Sequence, residues 1–120
     1  RGLPGVHEAD ALKALAHPVR LQILDILARG EACVCHMVTV LKQRQPYISQ
    51  HLMVLRQAGY VLDRRDGTIV YYRLANPQVL ALVEGARAFA RARGDSLTVL
   101  QVPDSPVPGC PCPKCGGGPC

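Results

Sequence analysis

Apolar residues recur every three or four positions from His7 to Ala28, where Leu12, Leu15, Ala16, Val19, Ile23, Leu24, Ile26 and Leu27 form one broad stripe. That spacing predicts helix with one face buried. Pro18 suits a first helical turn and not a helix interior, so the stretch divides into a helix ending near Ala16 and a second starting near Pro18 and closed by Gly30. Cys33 to Lys42 reads as a short third helix burying Val34, Met37, Val38 and Leu41, and Gln43 to Gln45 as a polar turn. Pro46 then opens a fourth helix that carries Ile48, Leu52, Val54 and Leu55 to Ala58 and stops at Gly59. Two β-rich runs between Tyr60 and Leu74 flank Asp66-Gly67, a strong hairpin signal. Asn76-Pro77 resembles an N-cap followed by proline at the first helical position, and the 3.6-residue rhythm returns from Val79 to Arg93. From Pro103 to Cys120 the chain turns to Pro, Gly and Cys and has too few aliphatic residues to fold by burial. The expected organisation is a folded domain over 1–102 and a tail over 103–120. Helix, helix, short helix, turn, helix, hairpin, helix is the order of a winged helix-turn-helix, mainly α with a small β-hairpin.

A length of 120 residues fits one domain and excludes a multidomain enzyme. The 48% hydrophobic and 19% charged composition is globular, and no stretch approaches the ~20 apolar residues of a membrane span. The opening Arg1-Gly2-Leu3-Pro4 has no basic-then-apolar leader, so the expected compartment is the cytoplasm and no membrane partner is expected. Charge sharpens the picture. Of the net +5, the stretch from Lys42 to Arg73 carries +4, through Lys42, Arg44, Arg56, Arg64, Arg65 and Arg73 against Asp63 and Asp66. Basic residues concentrated in this way suit a polyanion. With only four Tyr, one Phe and no Trp to stack on single strands, double-stranded DNA is the expected partner.

The six cysteines are not dispersed as disulfide staples would be. Cys33 and Cys35 form one pair, while Cys110, Cys112, Cys115 and Cys120 crowd the last eleven residues. In a reducing compartment such clusters point to metal binding. No glycine-rich phosphate loop or organised nucleophile is present, so an enzyme is not expected.

Three segments carry a resemblance. Ala14-Leu15-Ala16-His17-Pro18-Val19-Arg20-Leu21-Gln22-Ile23-Leu24, then Ile48-Ser49-Gln50-His51-Leu52 with Leu55-Arg56-Gln57-Ala58-Gly59, then Gly67 to Leu74, resemble the ArsR/SmtB family of bacterial metal-sensing repressors, in order from about Ala11 to Leu82. The resemblance implies a homodimer that represses transcription when metal-free and leaves its operator when metal binds. It implies dimerisation through the first and last helices, the last offering Val79, Leu80, Leu82, Val83, Ala86, Phe89 and Ala90. A two-fold dimer would meet an inverted repeat with half-sites about 34–36 Å apart. The second helix of the motif presents Gln45, Tyr47, Ser49, Gln50 and His51 to base edges, where Gln can pair bidentately with adenine. Arg56 is expected at a phosphate or an intrahelical partner, and Arg64, Arg65 and Thr68 of the wing at the backbone or minor groove.

Glu31-Ala32-Cys33-Val34-Cys35-His36-Met37 looks like the family's C-x-C metal box at the start of a helix, where negative charge is favoured. Residues two apart on an ideal helix diverge by about 200°, so one ion could hold both sulfurs only by distorting the first turn, an expected route to DNA release. Cys112-Pro113-Lys114-Cys115-Gly116 resembles a zinc-knuckle turn. The tail cysteines either fold back to complete the shell begun by Cys33 and Cys35 or form their own four-sulfur site. The first is preferred, since two sulfurs cannot close a shell alone. Three thiolates suit arsenite, antimonite or lead, and four suit zinc or cadmium. The family's other site, Asp-x-His with a later His, is missing, since its positions read Asn76-Pro77-Gln78 and no His follows His51. No organic cofactor is expected. The alternative is a thiol-based redox or persulfide sensor on the same fold.

Overall fold

The computed structural model describes residues 2–98 and 102. Five helices, α1 (Val6–Leu15), α2 (Pro18–Leu27), α3 (Val34–Leu41), α4 (Gln45–Gln57) and α5 (Gln78–Ala92), accompany three strands, β1 (Ala32–Cys33), β2 (Val61–Asp66) and β3 (Ile69–Leu74). Local chemistry sets most boundaries. Proline stands in the first turn of both α2 and α4, and His17 caps α2 by accepting the Val19 N–H on Nδ1 at 3.1 Å. Asn76 Oδ1 accepts the Gln78 N–H at 2.8 Å just ahead of α5, whose N-cap position is Pro77 and not Asn76 as expected. Gly30, at φ 128, turns the chain from α2 into β1, a conformation that favours glycine. Lys42 takes a left-handed conformation (φ 56) to turn from α3 into the helix that follows the polar turn.

Ile23, Leu24 and Ile26 of α2, Met37 of α3, Ile48, Leu52 and Leu55 of α4 and Val61 of β2 are fully enclosed in one core. Each such side chain contributes about 1.5–3 kcal/mol by leaving water. This packing fixes α3 against α4, the two helices of the helix-turn-helix. The Tyr60 hydroxyl donates to the Ala11 carbonyl at 2.6 Å and ties the root of the hairpin to α1. Within this burial the Tyr60 phenol is pushed above its ordinary pKa of 10.0.

Several expectations are corrected. The sheet is three-stranded and antiparallel in the order β1-β3-β2, not a bare hairpin. Cys33 belongs to β1 and precedes the helix in extended backbone (φ −89, ψ 168). Ala32 lies opposite Tyr72 and Cys33 opposite Tyr71, while Arg64 lies opposite Tyr71 from the other side. The extended run Ala32-Cys33 is too short to show a period of two, and its pairing is made with residues far along the chain. Leu12 and Ala16, expected in the buried α1–α2 stripe, are exposed, whereas the exposure of Leu82, Ala86 and Phe89 of α5 in a single chain leaves the dimer expectation as it stood. Among the α5 residues only Val79 and Val83 are buried, because the helix meets the core along one narrow line and keeps a second apolar line outward. Among the described residues no helix is long and apolar enough to cross a membrane.

Candidate DNA interface and thiol site

On α4, Gln45, Tyr47 and Gln50 are exposed and Ser49 is half-buried, which leaves these four on or near the open side of the helix. His51 does not join them. It is 7% exposed, and Arg20 Nε donates to its Nδ1 at 3.1 Å. The ring expected at a base edge is thus buried in the isolated chain and engaged by Arg20. The same ring lies 4.3 Å from that of His17 and 4.6 Å from that of Tyr47, the latter edge-on. Tyr47 is therefore held from behind by an imidazole shelf. Burial, with His17 and Arg20 nearby, lowers the His51 pKa from its ordinary 6.5.

The wing residues divide between two tasks. Arg65 and Thr68 are exposed. Arg64 is instead turned toward Glu31, donating Nε and Nη2 to its two carboxylate oxygens at 2.6 Å each. Its guanidinium carbon also sits 4.5 Å from the centroid of the Tyr71 ring. In the isolated chain the Arg64 side chain, expected at the DNA backbone or minor groove, is engaged with Glu31 while remaining 43% exposed. Glu31 in turn is held below its ordinary carboxylate pKa by the hydrogen bonds from Arg64. Arg56 finds no intrahelical partner among those expected; its Nη1 lies 3.5 Å from Asp63 Oδ2 on β2, an exposed contact worth little. His17, Arg20, Glu31 and Tyr71 were missed as supporting residues. His17 was signalled by its place before Pro18, and Glu31 by its place beside the C-x-C pair.

Cys33 is 1% exposed and Cys35 half-buried, and neither is in a disulfide. Cys33 and Tyr71 form a small apolar cluster apart from the main core, and Cys35, Val40 and Ile69 pack against it. Thr39 Oγ1 donates to the Cys35 carbonyl at 3.0 Å. Two soft donors astride a strand–helix junction fit the chemistry of a thiophilic ion in part. Among the described residues no third His, Cys, Asp or Glu joins them to form a ligand group. Cys110, Cys112, Cys115 and Cys120 lie outside the described residues.

Residues 17–62 match the model of the bacterial regulatory protein arsR family. The arsenic resistance transcriptional regulator ArsR1 of Pseudomonas putida is 44% identical over 86 residues, 66% of this chain and 66% of that one. The biofilm growth-associated repressor of Agrobacterium fabrum is 43% identical over 89 residues, 74% of this chain and 76% of that one. Among solved structures, a similar fold is the homodimeric winged helix-turn-helix DNA-binding domain of a Mycobacterium bovis protein described as a possible ArsR-family transcriptional regulator. It is 35% identical, with a TM-score of 0.67, covering 79% of this chain and 88% of that one. Together, the three-stranded wing, the helix-turn-helix and these likenesses establish that the chain belongs to the ArsR/SmtB family of winged helix-turn-helix, DNA-binding transcriptional repressors.

Proposed function

We propose that this protein is a cytoplasmic, homodimeric repressor that occupies an inverted-repeat operator and leaves it when a thiophilic ion binds Cys33 and Cys35. Arsenite or antimonite is the first choice of ion, with cadmium, lead or zinc next, and the remaining sulfurs come from Cys110, Cys112, Cys115 and Cys120 of the tail over 103–120. The observation that carries the reading is the position of the thiol pair: Cys33 lies in the strand that pairs with the wing, and Cys35 lies in the first turn of the helix that supports α4. An ion that draws the two sulfurs together works against that strand pairing, rather than against a helical turn as expected from spacing alone. A coupling of about 1–3 kcal/mol would weaken operator binding roughly five- to 150-fold.

Dimerisation is supported by the outward apolar residues Leu12 of α1 and Leu82 and Phe89 of α5, and by the homodimeric relative from Mycobacterium bovis. The DNA contacts are assigned to Gln45, Tyr47, Ser49 and Gln50 in the major groove and to Arg65 and Thr68, with Arg56, at the backbone. The protein performs no catalysis in this scheme.

Operator anisotropy under reductant tests the proposal, with arsenite, antimonite, cadmium, lead and zinc titrated against the full chain and a chain ending at Val102. Release of the full chain by one soft ion supports the sensor, and failure of every ion to release it overturns the ion reading. A second reading is favoured by one observation: among the described residues Cys33 and Cys35 border one apolar cluster and no group of three or more potential ligands forms, and a dithiol switch needs two thiols where an ion needs a fuller shell. That switch requires an oxidant or persulfide donor for release and is inert to ions under reductant.

A further inference from the structure

Three residues join the thiol pair to the wing. Arg64 on β2 grips both carboxylate oxygens of Glu31 at 2.6 Å, two positions before Cys33, and its guanidinium lies across the Tyr71 ring. Tyr71, 6% exposed, stands opposite both Arg64 and Cys33, so one row of the sheet runs Arg64, Tyr71, Cys33 over its three strands. Directly opposed residues share a face, and Glu31, two residues from Cys33 along nearly extended chain, comes to the same side. A forked guanidinium–carboxylate pair resists sliding because its two bonds must stay parallel, and the ring beneath resists lifting. The pair itself lies at the surface, with Arg64 43% exposed, and what sets it apart from Arg56–Asp63 is the fork and the buried Tyr71 ring beside it.

We infer that the Glu31–Arg64 pair, stacked on Tyr71, is a positioning clamp that fixes the wing to the strand carrying Cys33, so that displacement of this thiol is passed to the wing. Arg64 acts here through Tyr71 and Glu31 and not by touching DNA. The coupling part of the inference rests on the thiol-sensor reading; the mechanical part does not.

Two measurements on the full chain test it. The first is the rate of Cys33 alkylation by iodoacetamide under reductant, located by peptide mass spectrometry. The second is operator weakening on saturation with arsenite, alongside arsenite binding followed by thiolate absorbance in the ultraviolet. Glu31→Gln is expected to alkylate at Cys33 at least about fivefold faster than the unaltered chain, with unchanged arsenite binding and its operator release reduced to below about a third. Arg64→Lys keeps the charge, loses the fork and is expected to behave alike. The exchange Glu31→Arg with Arg64→Glu is expected to restore slow alkylation. Wild-type alkylation rates in both single variants overturn the clamp, as does faster alkylation with undiminished release. Loss of arsenite binding in Glu31→Gln also overturns it, by making Glu31 part of the ion site. If no ion releases the unaltered chain while Glu31→Gln still alkylates faster, the clamp stands and the ion reading falls.

Discussion

Replacing either thiol of the pair by serine is expected to abolish release, but the two replacements are not equivalent for the fold. Cys33 is 1% exposed within an apolar cluster with Tyr71, whereas Cys35 is half-buried at its margin. A serine at position 33 exchanges an enclosed sulfur packed with Tyr71 for a smaller, more strongly hydrated hydroxyl that must leave water, at a cost of about 1–3 kcal/mol. For a domain of this size that lowers Tm by at least about 4 °C. Cys35→Ser retains contact with solvent and is expected to stay within about 0.5 kcal/mol of the unaltered chain. Cys33→Ala removes the same sulfur without adding a polar group, so it should be more stable than Cys33→Ser. Thermal unfolding followed by circular dichroism under reductant measures all three, and operator anisotropy at 25 °C checks that each still binds DNA before any ion is added. A Cys33→Ser protein as stable as the unaltered chain, or less harmed than Cys35→Ser, would refute the argument from burial.

His51 gives a pH dependence. Its folded pKa is lowered below 6.5 by burial and then by His17 and Arg20, so above pH 6.5 both folded and unfolded chains carry it neutral and its stabilising effect is complete. As pH falls below that value the unfolded chain takes the proton first, and stability declines by at most about 1.4 kcal/mol per pH unit for this one group until the folded pKa is passed; urea titrations between pH 5 and 8 read the slope, and His51→Gln should flatten it. Arg65→Gln should reduce the slope of log K against log salt by about 0.9 per protomer, while Arg64→Gln should change it far less, because Arg64 is held by Glu31; equal effects would return Arg64 to the DNA. Phe89→Glu, at a position 68% exposed in the isolated chain, should leave the fold intact but shift sedimentation to the monomer and weaken operator binding, and an unchanged dimer would remove α5 from the interface.

What the sequence disclosed follows the reach of each interaction. Pro18, Pro46, Asn76-Pro77 and Asp66-Gly67 act on their immediate neighbours: α2 begins at Pro18, α4 one residue before Pro46, α5 one residue after Pro77, and the hairpin turns at Gly67-Thr68, one residue later than Asp66-Gly67 predicts. Periodicity located apolar faces but not what they face: Leu12 and Phe89 match the helical pattern as well as Val79 does, yet they point outward. His51 is expected at a base edge from its place on the second helix of the motif, and its burial beside Arg20, 31 positions earlier, leaves no mark in that spacing. Arg64 is expected at the DNA backbone or minor groove from its place on the wing; its partner Glu31 lies 33 positions away. Cys33 continued an apolar helical pattern, and only pairing with β3 makes it a strand. In each instance the deciding partner is remote in the chain, where spacing carries no information.

The short strand β1 makes the wing a lever with its pivot near one end. β3 is gripped by β1 at Tyr71 and Tyr72 and runs outward from there toward the turn at Gly67, four residues beyond Tyr71. At about 3.3 Å per residue that arm is roughly 13 Å long, so a tilt of about 10° at the pivot sweeps the tip through about 2 Å. Hydrogen bonds to phosphate do not survive such a stretch. On the proposed sensor reading, a small displacement beside Cys33 would thereby be magnified at Thr68, and operator release would need no unfolding of the main core.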